Sequence, residues 1–266
     1  MNPIYKFIIF CSIVLMVCSC ENIVDLDLKV AEPRNIVDAS ITEGMPCMVI
    51  LTKSHAFQNN EPYERIPNAT IELTTSNGHS ETMIESRREP GVYTSTLIGK
   101  PGITYHLKIM LDDEVYEASA TVPDVVHIER VYIYEIKAGD KSWYSPAITY
   151  RDPEYEKNYY YVLLSVNDKL MRSIYLYDDD NRDGVETPRI LFFDKEDNDD
   201  EDLKTGDLIT VELQSIDVGM YRFYKSLSSV AEGTNAITNF TGGALGCFKA
   251  YNSSIGQAIV SQDIVE

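Results

Sequence analysis

The chain has 266 residues and is strongly acidic, with 23 Lys and Arg against 42 Asp and Glu and a formal net charge of −19. A phosphate backbone would repel such a chain, which excludes nucleic-acid binding, and the same charge disfavours passive docking on anionic lipid headgroups. At 44% hydrophobic residues it is too apolar for a disordered polypeptide, and its length suits one or two domains whose cores need no metal or disulfide staple.

Lys6 precedes an apolar stretch of eleven residues, Phe7 to Val17, followed by Cys18-Ser19-Cys20. One base, an apolar run and a small residue before a cleavage point predict a secretory signal over 1–19. The run is too short to cross roughly 30 Å of hydrocarbon, so a retained membrane helix is not expected. The tetrad Val17-Cys18-Ser19-Cys20 resembles a bacterial lipobox. In such a motif the final thiol is the nucleophile that forms the thioether to diacylglycerol, and the small residue before it fits the peptidase. The alternative is an ordinary signal peptide cut nearby. Two acyl chains on Cys20 would hold the protein at a membrane without any spanning helix. Residues 20–33 then read as a lipidated tether, polar and acidic, with Asp25 and Asp27 alternating with Val24, Leu26 and Leu28. Cys47 and Cys247 would be the thiols left in an oxidising compartment. They read as two buried unpaired thiols, with a disulfide as the alternative, and no Cys/His metal array is present.

From 34 to 124 the chain predicts a β-sandwich domain of seven short strands: 36–41, 47–52, 69–75, 83–86, 92–98, 105–111 and 115–122. Alternation such as Ile71 and Leu73 among polar neighbours marks the strands, and Asn77-Gly78, Pro90-Gly91 and Pro101-Gly102 mark turns. The order Asn68-Ala69-Thr70-Ile71, Asn77-Gly78, Gly91-Val92-Tyr93 and Pro101-Gly102 resembles the transthyretin-like or carboxypeptidase-regulatory type of Ig-like sandwich. Pro123-Asp124 is the expected boundary.

Residues 125–266 predict a second β-rich domain, with strands at 127–136, 145–150, 159–167, 172–177, 189–193, 208–215 and 247–251. One packed helix is expected near 217–231, with Asp217 as N-cap, Met220, Phe223, Leu227 and Val230 on one face and Gly233 past its end. The class is therefore mainly β. Within Tyr159-Tyr160-Tyr161 successive rings must point to opposite faces of a sheet, so at least one is exposed or covered by another element. Tyrosines suit binding surfaces, where an apolar ring carries a polar tip, and they also suit ordinary strands. These three are the candidate binding-surface residues.

The stretch from Asp178 to Asp207 holds 13 acidic and 4 basic residues. Asp179, Asn181, Asp183 and Glu186 match the opening of a calcium loop, in which hard oxygens alternate around a Gly turn, here Gly184. The twelfth position is Ile190 where such a loop needs Glu, and no helices flank it. The preferred reading is an acidic hairpin tip, so no metal or other cofactor is expected. The second acidic run, 194–202, reads as a solvated, mobile loop. Histidines 55, 79, 106 and 127 are scattered, and His106 reads as a surface-facing strand residue. No GxSxG, HExxH, Walker or GxGxxG motif is present, so no catalytic residue is assigned. Gly242, Gly243 and Gly246 permit a close backbone approach, either to a ligand or at a bend feeding the last strand.

Taken in order, several short motifs resemble a Bacteroidota lipoprotein family known as domain of unknown function 4249. They are Cys20-Glu21, Val24-Asp25-Leu26-Asp27-Leu28, Gly91-Val92-Tyr93, Gly102-Ile103-Thr104-Tyr105, Asp152-Pro153, Asn158-Tyr159-Tyr160, Asp183-Gly184, Gly206-Asp207, Val211 to Asp217 and Gly242 to Gly246. Cys247 stands where the family pattern has an aromatic. The resemblance implies an envelope lipoprotein that accompanies TonB-dependent outer-membrane transporters, and it carries over no functional residues. The expected function is a non-enzymatic accessory of nutrient uptake. Its partners would be the membrane through lipidated Cys20, a TonB-dependent transporter and a small nutrient or peptide-like ligand. The alternatives are a surface hydrolase of glycan or peptide and a structural or adhesive surface module. The expected location is the outer membrane, with its periplasmic face and the cell surface both open because Glu21 stands alone beside Asn22.

Overall fold

Side-chain alternation of period two builds the first half of the fold. In β1 (Asn35–Thr42) the inward residues are Val37, Ala39 and Ile41, and in β2 (Pro46–Lys53) they are Cys47, Val49 and Leu51. The computed structural model describes residues 32–55, 62–179, 184–227, 230 and 234–266, of which Pro33–Glu266 form one compact unit. The short β3 (Glu64–Arg65), β4 (Thr70–Thr75), β5 (Ser80–Thr82), β6 (Ile84–Glu85), β7 (Val92–Ile98), β8 (Thr104–Leu111) and β9 (Glu114–Thr121) follow. The segment expected as one strand over 83–86 belongs to a chain that changes sheets. β5 pairs with β4 and β6 with β7, and the crossing is Met83, which is buried and donates its N–H to the Ile71 carbonyl at 2.8 Å.

The second half contributes β10 (Ile128–Ala138), β11 (Lys141–Arg151), β12 (Tyr159–Val166), β13 (Lys169–Leu170), β14 (Tyr175–Asp178), β15 (Glu186–Ile190), β16 (Leu208–Ile216), helix α1 (Val218–Leu227) and β17 (Leu245–Ile259). Among the described residues the molecule is mainly β, with sandwich-like layers and one α-helix. β17 is 15 residues long, three times the expected strand over 247–251. The helix stops at Leu227 in the described residues, while Val230 lies outside it and is exposed. Gly233 lies outside the described residues. No helix among the described residues is long and apolar enough to cross a membrane.

A ten-stranded sheet runs in the order β13, β12, β16, β17, β1, β2, β7, β6, with β14 also on β12 and β3 also on β2. β1 runs parallel to β17, Ile36 opposite Leu245, and the other strand pairs are antiparallel. Two smaller sheets cover one face of the large one, β5-β4-β8-β9 and β10-β11-β15. Under the first lies a core of Val37, Ile41, Val49, Ile71, Leu73, Tyr105, Leu107 and Ile109. Under the second lies a core of Ile148, Tyr150, Tyr160, Val162, Leu164, Ile209, Val211 and Leu213. Pro123 falls between the two. The sandwich expected over 34–124 is, however, completed by later residues, because Phe240, Ala244, Phe248 and Ala250 belong to the first core. The physical reason is strand pairing: β17 fills the edge that β1 would otherwise leave open.

Gly242, just ahead of β17, packs against β9, and Gly246, within β17, packs against β1. A Cβ on Gly242 would lie 2.1 Å from the Val115 carbonyl oxygen, and one on Gly246 would lie 2.0 Å from that of Val37. The close approach is therefore to the chain's own backbone.

Candidate functional site

β16 delivers the chain to α1 through Asp217. Its Oδ1 accepts the Met220 N–H at 2.9 Å and its carbonyl accepts the Tyr221 N–H at 3.0 Å, the bonding of an N-cap. Burial lifts the Asp217 carboxyl from 3.8 to about 6, against the opposing pull of the backbone N–H groups of Met220 and Gly219. The cap starts α1 across the face of the large sheet opposite the two cores. Met220 is buried, and Arg222 and Lys225 face solvent.

β12 supplies the floor. Tyr160, Val162, Leu164 and Val166 point into the second core, so Tyr159 and Tyr161 point to the helix side. Tyr159 packs on Tyr221 with ring centroids 4.6 Å apart, and Tyr161 stacks on Tyr224 at 4.5 Å and 21°. The i, i+2 spacing of a strand thus meets the i, i+3 spacing of a helix. Burial raises the Tyr161 hydroxyl above its ordinary value and pushes that of Tyr224 up to about 12. Tyr160 is fully buried, so it presents no surface to a partner. Its hydroxyl donates to Asp152, its ring lies 4.8 Å from that of Tyr150, and burial with the Asp152 carboxylate raises its pKa far above normal. Of the three candidate tyrosines, two therefore lie half-buried under α1 and one belongs to the core.

Beside the helix these rings wall a groove of about 610 Å³, lined by Ile174, Leu176, Tyr177, Asp178, Tyr221, Tyr224, Lys225 and Leu227. Tyr221 donates its hydroxyl to Asp178 Oδ2 at 3.1 Å, and Lys225 Nζ donates to the Tyr221 oxygen at 3.2 Å. An apolar aromatic wall with a carboxylate, a phenol and an ammonium along one side can stack a flat ligand and fix it by hydrogen bonds. Sequence reasoning chose Met220, Phe223 and Leu227 for the packed face and so missed Tyr221, Tyr224 and Lys225. The signal was a second tyrosine pair, at helical spacing, after a strand carrying its own.

Of the four proposed calcium residues, Asp179 and Glu186 lie among the described residues. Asp179 is buried and accepts from Lys157 Nζ. That bond raises the lysine's pKa, and the ammonium also sits 5.8 Å from the Tyr159 ring centroid. Glu186 is an exposed residue opening β15, opposite Arg151. Asn181 and Asp183 lie outside the described residues. Among the described residues no group of three or more His, Cys, Asp or Glu converges as a metal site.

The second acidic run takes a defined course: Asp194 caps a 3₁₀ turn, Lys195–Asn198, by accepting the Glu196 N–H at 3.0 Å. Asp197 is held by Arg172, whose hydrogen bond lowers its pKa, and Asp199 pairs with Lys169 at 2.9 Å. Cys47 and Cys247 are free and buried, and burial pushes both thiols up to about 12. Alternation puts Cys47 in the first core and Cys247 on the α1 side of the sheet. His106 lies exposed on β8 and shares a 2.7 Å hydrogen bond with Ser119.

No curated protein matches the chain. A family model described as Domain of unknown function (DUF4249) matches residues 21–255, and the chain belongs to that family.

Proposed function

We propose that this is a lipid-anchored, non-enzymatic binding protein of the bacterial outer membrane, an accessory to a TonB-dependent nutrient transporter. The observation that carries the reading is the Val17-Cys18-Ser19-Cys20 tetrad after an apolar run, thirteen positions ahead of Pro33, where the folded unit begins. A diacylated Cys20 followed by a short polar segment would hold the unit close to the bilayer without embedding it. The Tyr221, Tyr224, Asp178 and Lys225 groove supports a binding role, since it offers stacking surface together with hydrogen-bonding groups.

Two measurements test the proposal. Fed a radiolabelled fatty acid, cells carrying the wild-type chain yield a labelled protein in outer membranes, and Cys20→Ala abolishes label and membrane retention together. Crosslinking followed by capture from outer membranes recovers a TonB-dependent transporter. An unlabelled wild-type protein would overturn the anchor, and capture of no transporter would overturn the uptake role.

A further inference from the structure

A second groove opens at the far edge of the three-stranded sheet, between the tip of the β10–β11 hairpin and the segment after β15. Trp143, Tyr144, Phe192 and Phe193 line it together with Asp194, Asp202 and one cation, Lys195, and its volume is about 770 Å³. Trp143 is 48% exposed and Phe192 68%, so large aromatic faces stand open to solvent side by side. Tyr144 and Leu203 also line an adjoining depression of about 530 Å³ with Ile133 and Val265. Adjoining along Tyr144 and Leu203, the two make up a trough with apolar and polar walls.

Its charged wall residues are Asp194, Asp202 and Lys195, and the segment that carries them is acidic in excess. Between 194 and 202 the chain carries seven acids and one base, Lys195. Asp197, Asp199 and Glu201 are paired with Arg172, Lys169 and Lys204. Asp194, Glu196, Asp200 and Asp202 have no ion pair among the described residues. Exposed indole and phenyl faces attract cations through the ring quadrupole, and nearby carboxylates deepen that potential.

We propose that this trough docks an extended, Lys/Arg-bearing peptide segment of a partner protein, its cationic side chains lying on Trp143 and Phe192 and reaching Asp194 and Asp202. Stacked guanidinium or ammonium groups take the ring faces, and the acidic segment selects against neutral or acidic chains. The site is separate from the groove beside α1 and does not depend on its role.

Trp143 is the only tryptophan in the chain, so its fluorescence reports the trough directly. The purified protein is titrated with hexa-arginine, with its isosteric hexa-citrulline counterpart and with a linear glucan oligosaccharide. Hexa-arginine is expected to change the emission saturably, and affinity should fall at least tenfold between 50 mM and 500 mM salt. Phe192→Ala and Asp202→Asn, both at exposed positions, are each expected to weaken binding at least fivefold while leaving the far-ultraviolet circular dichroism unchanged. The proposal is overturned if hexa-arginine gives no saturable change, if hexa-citrulline or the glucan binds as tightly, or if neither variant alters affinity.

Discussion

Asp217 does two opposed jobs. As an N-cap it stabilises α1, and as a buried carboxylate it resists ionisation. Because its folded pKa, about 6, lies above the ordinary 3.8, the folded state binds the proton more tightly. Stability then falls as pH rises from about 4 through 6 and stays at its lower value above that. An elevation of this size corresponds to a cost on the order of 3 kcal/mol at neutral pH. Asp217→Asn keeps a capping oxygen and loses the charge. Urea unfolding should therefore show it at least as stable as wild type at pH 7.5, with a flatter dependence between pH 4.5 and 7.5. Asp217→Ala loses the cap and should cost about 1 kcal/mol at pH 3, below both the folded and the unfolded pKa, where the carboxyl is protonated in either state. A less stable Asn variant at pH 7.5 would show that ionisation is not the penalty.

At the scale of elements, α1 is held to the sheet by two tyrosine pairs rather than by an aliphatic stripe. Such ring pairs contribute roughly 0.5–1.5 kcal/mol beyond the area they bury. A double-mutant cycle with Tyr161→Leu and Tyr224→Leu should thus give a coupling near 1 kcal/mol, and a value within 0.3 kcal/mol of zero would mean that the stack is incidental. Elements differ in how far their sequence announces them. Whereas β2 is apolar throughout Cys47 to Leu51, β1, β4, β8 and β9 have one buried face and one wetter face, so their alternation reads plainly. β17 does not, because Ser253, Ser254, Gly256 and Gln257 dilute the apolar signal beyond Tyr251, and β15 begins three residues early, carrying Pro188 on an edge strand. Tyr159 to Tyr161 could be placed on both faces of a sheet from spacing alone. What covers the outer two was hidden, since a helix with several apolar rows offers more than one packing face.

For the whole molecule, periodicity tells which residues face inward but not which strands are neighbours. The pairing of β1 with β17 joins residues some 209 positions apart, Ile36 to Leu245, and nothing local marks it. It also joins the strands that carry the two cores into one sheet. A fragment covering 34–124 lacks Phe240, Ala244, Phe248 and Ala250 and should remain largely unfolded by circular dichroism. Residues 33–266 should unfold in one transition, with Trp143 fluorescence and pulse labelling of Cys47 in a Cys247→Ser background sharing a midpoint. Separate midpoints would show that the cores melt independently.

The place of β1 has a mechanical consequence. It lies inside the large sheet, flanked by a parallel ladder from Ile36 to Thr42 and an antiparallel one from Asn35 to Ser40. Tension arriving through the residues ahead of Pro33 pulls along the strand, at right angles to bonds that run across it. Both ladders are then loaded in shear, and their bonds must yield together instead of peeling in turn. A leash attached there would stretch before the body it holds gave way.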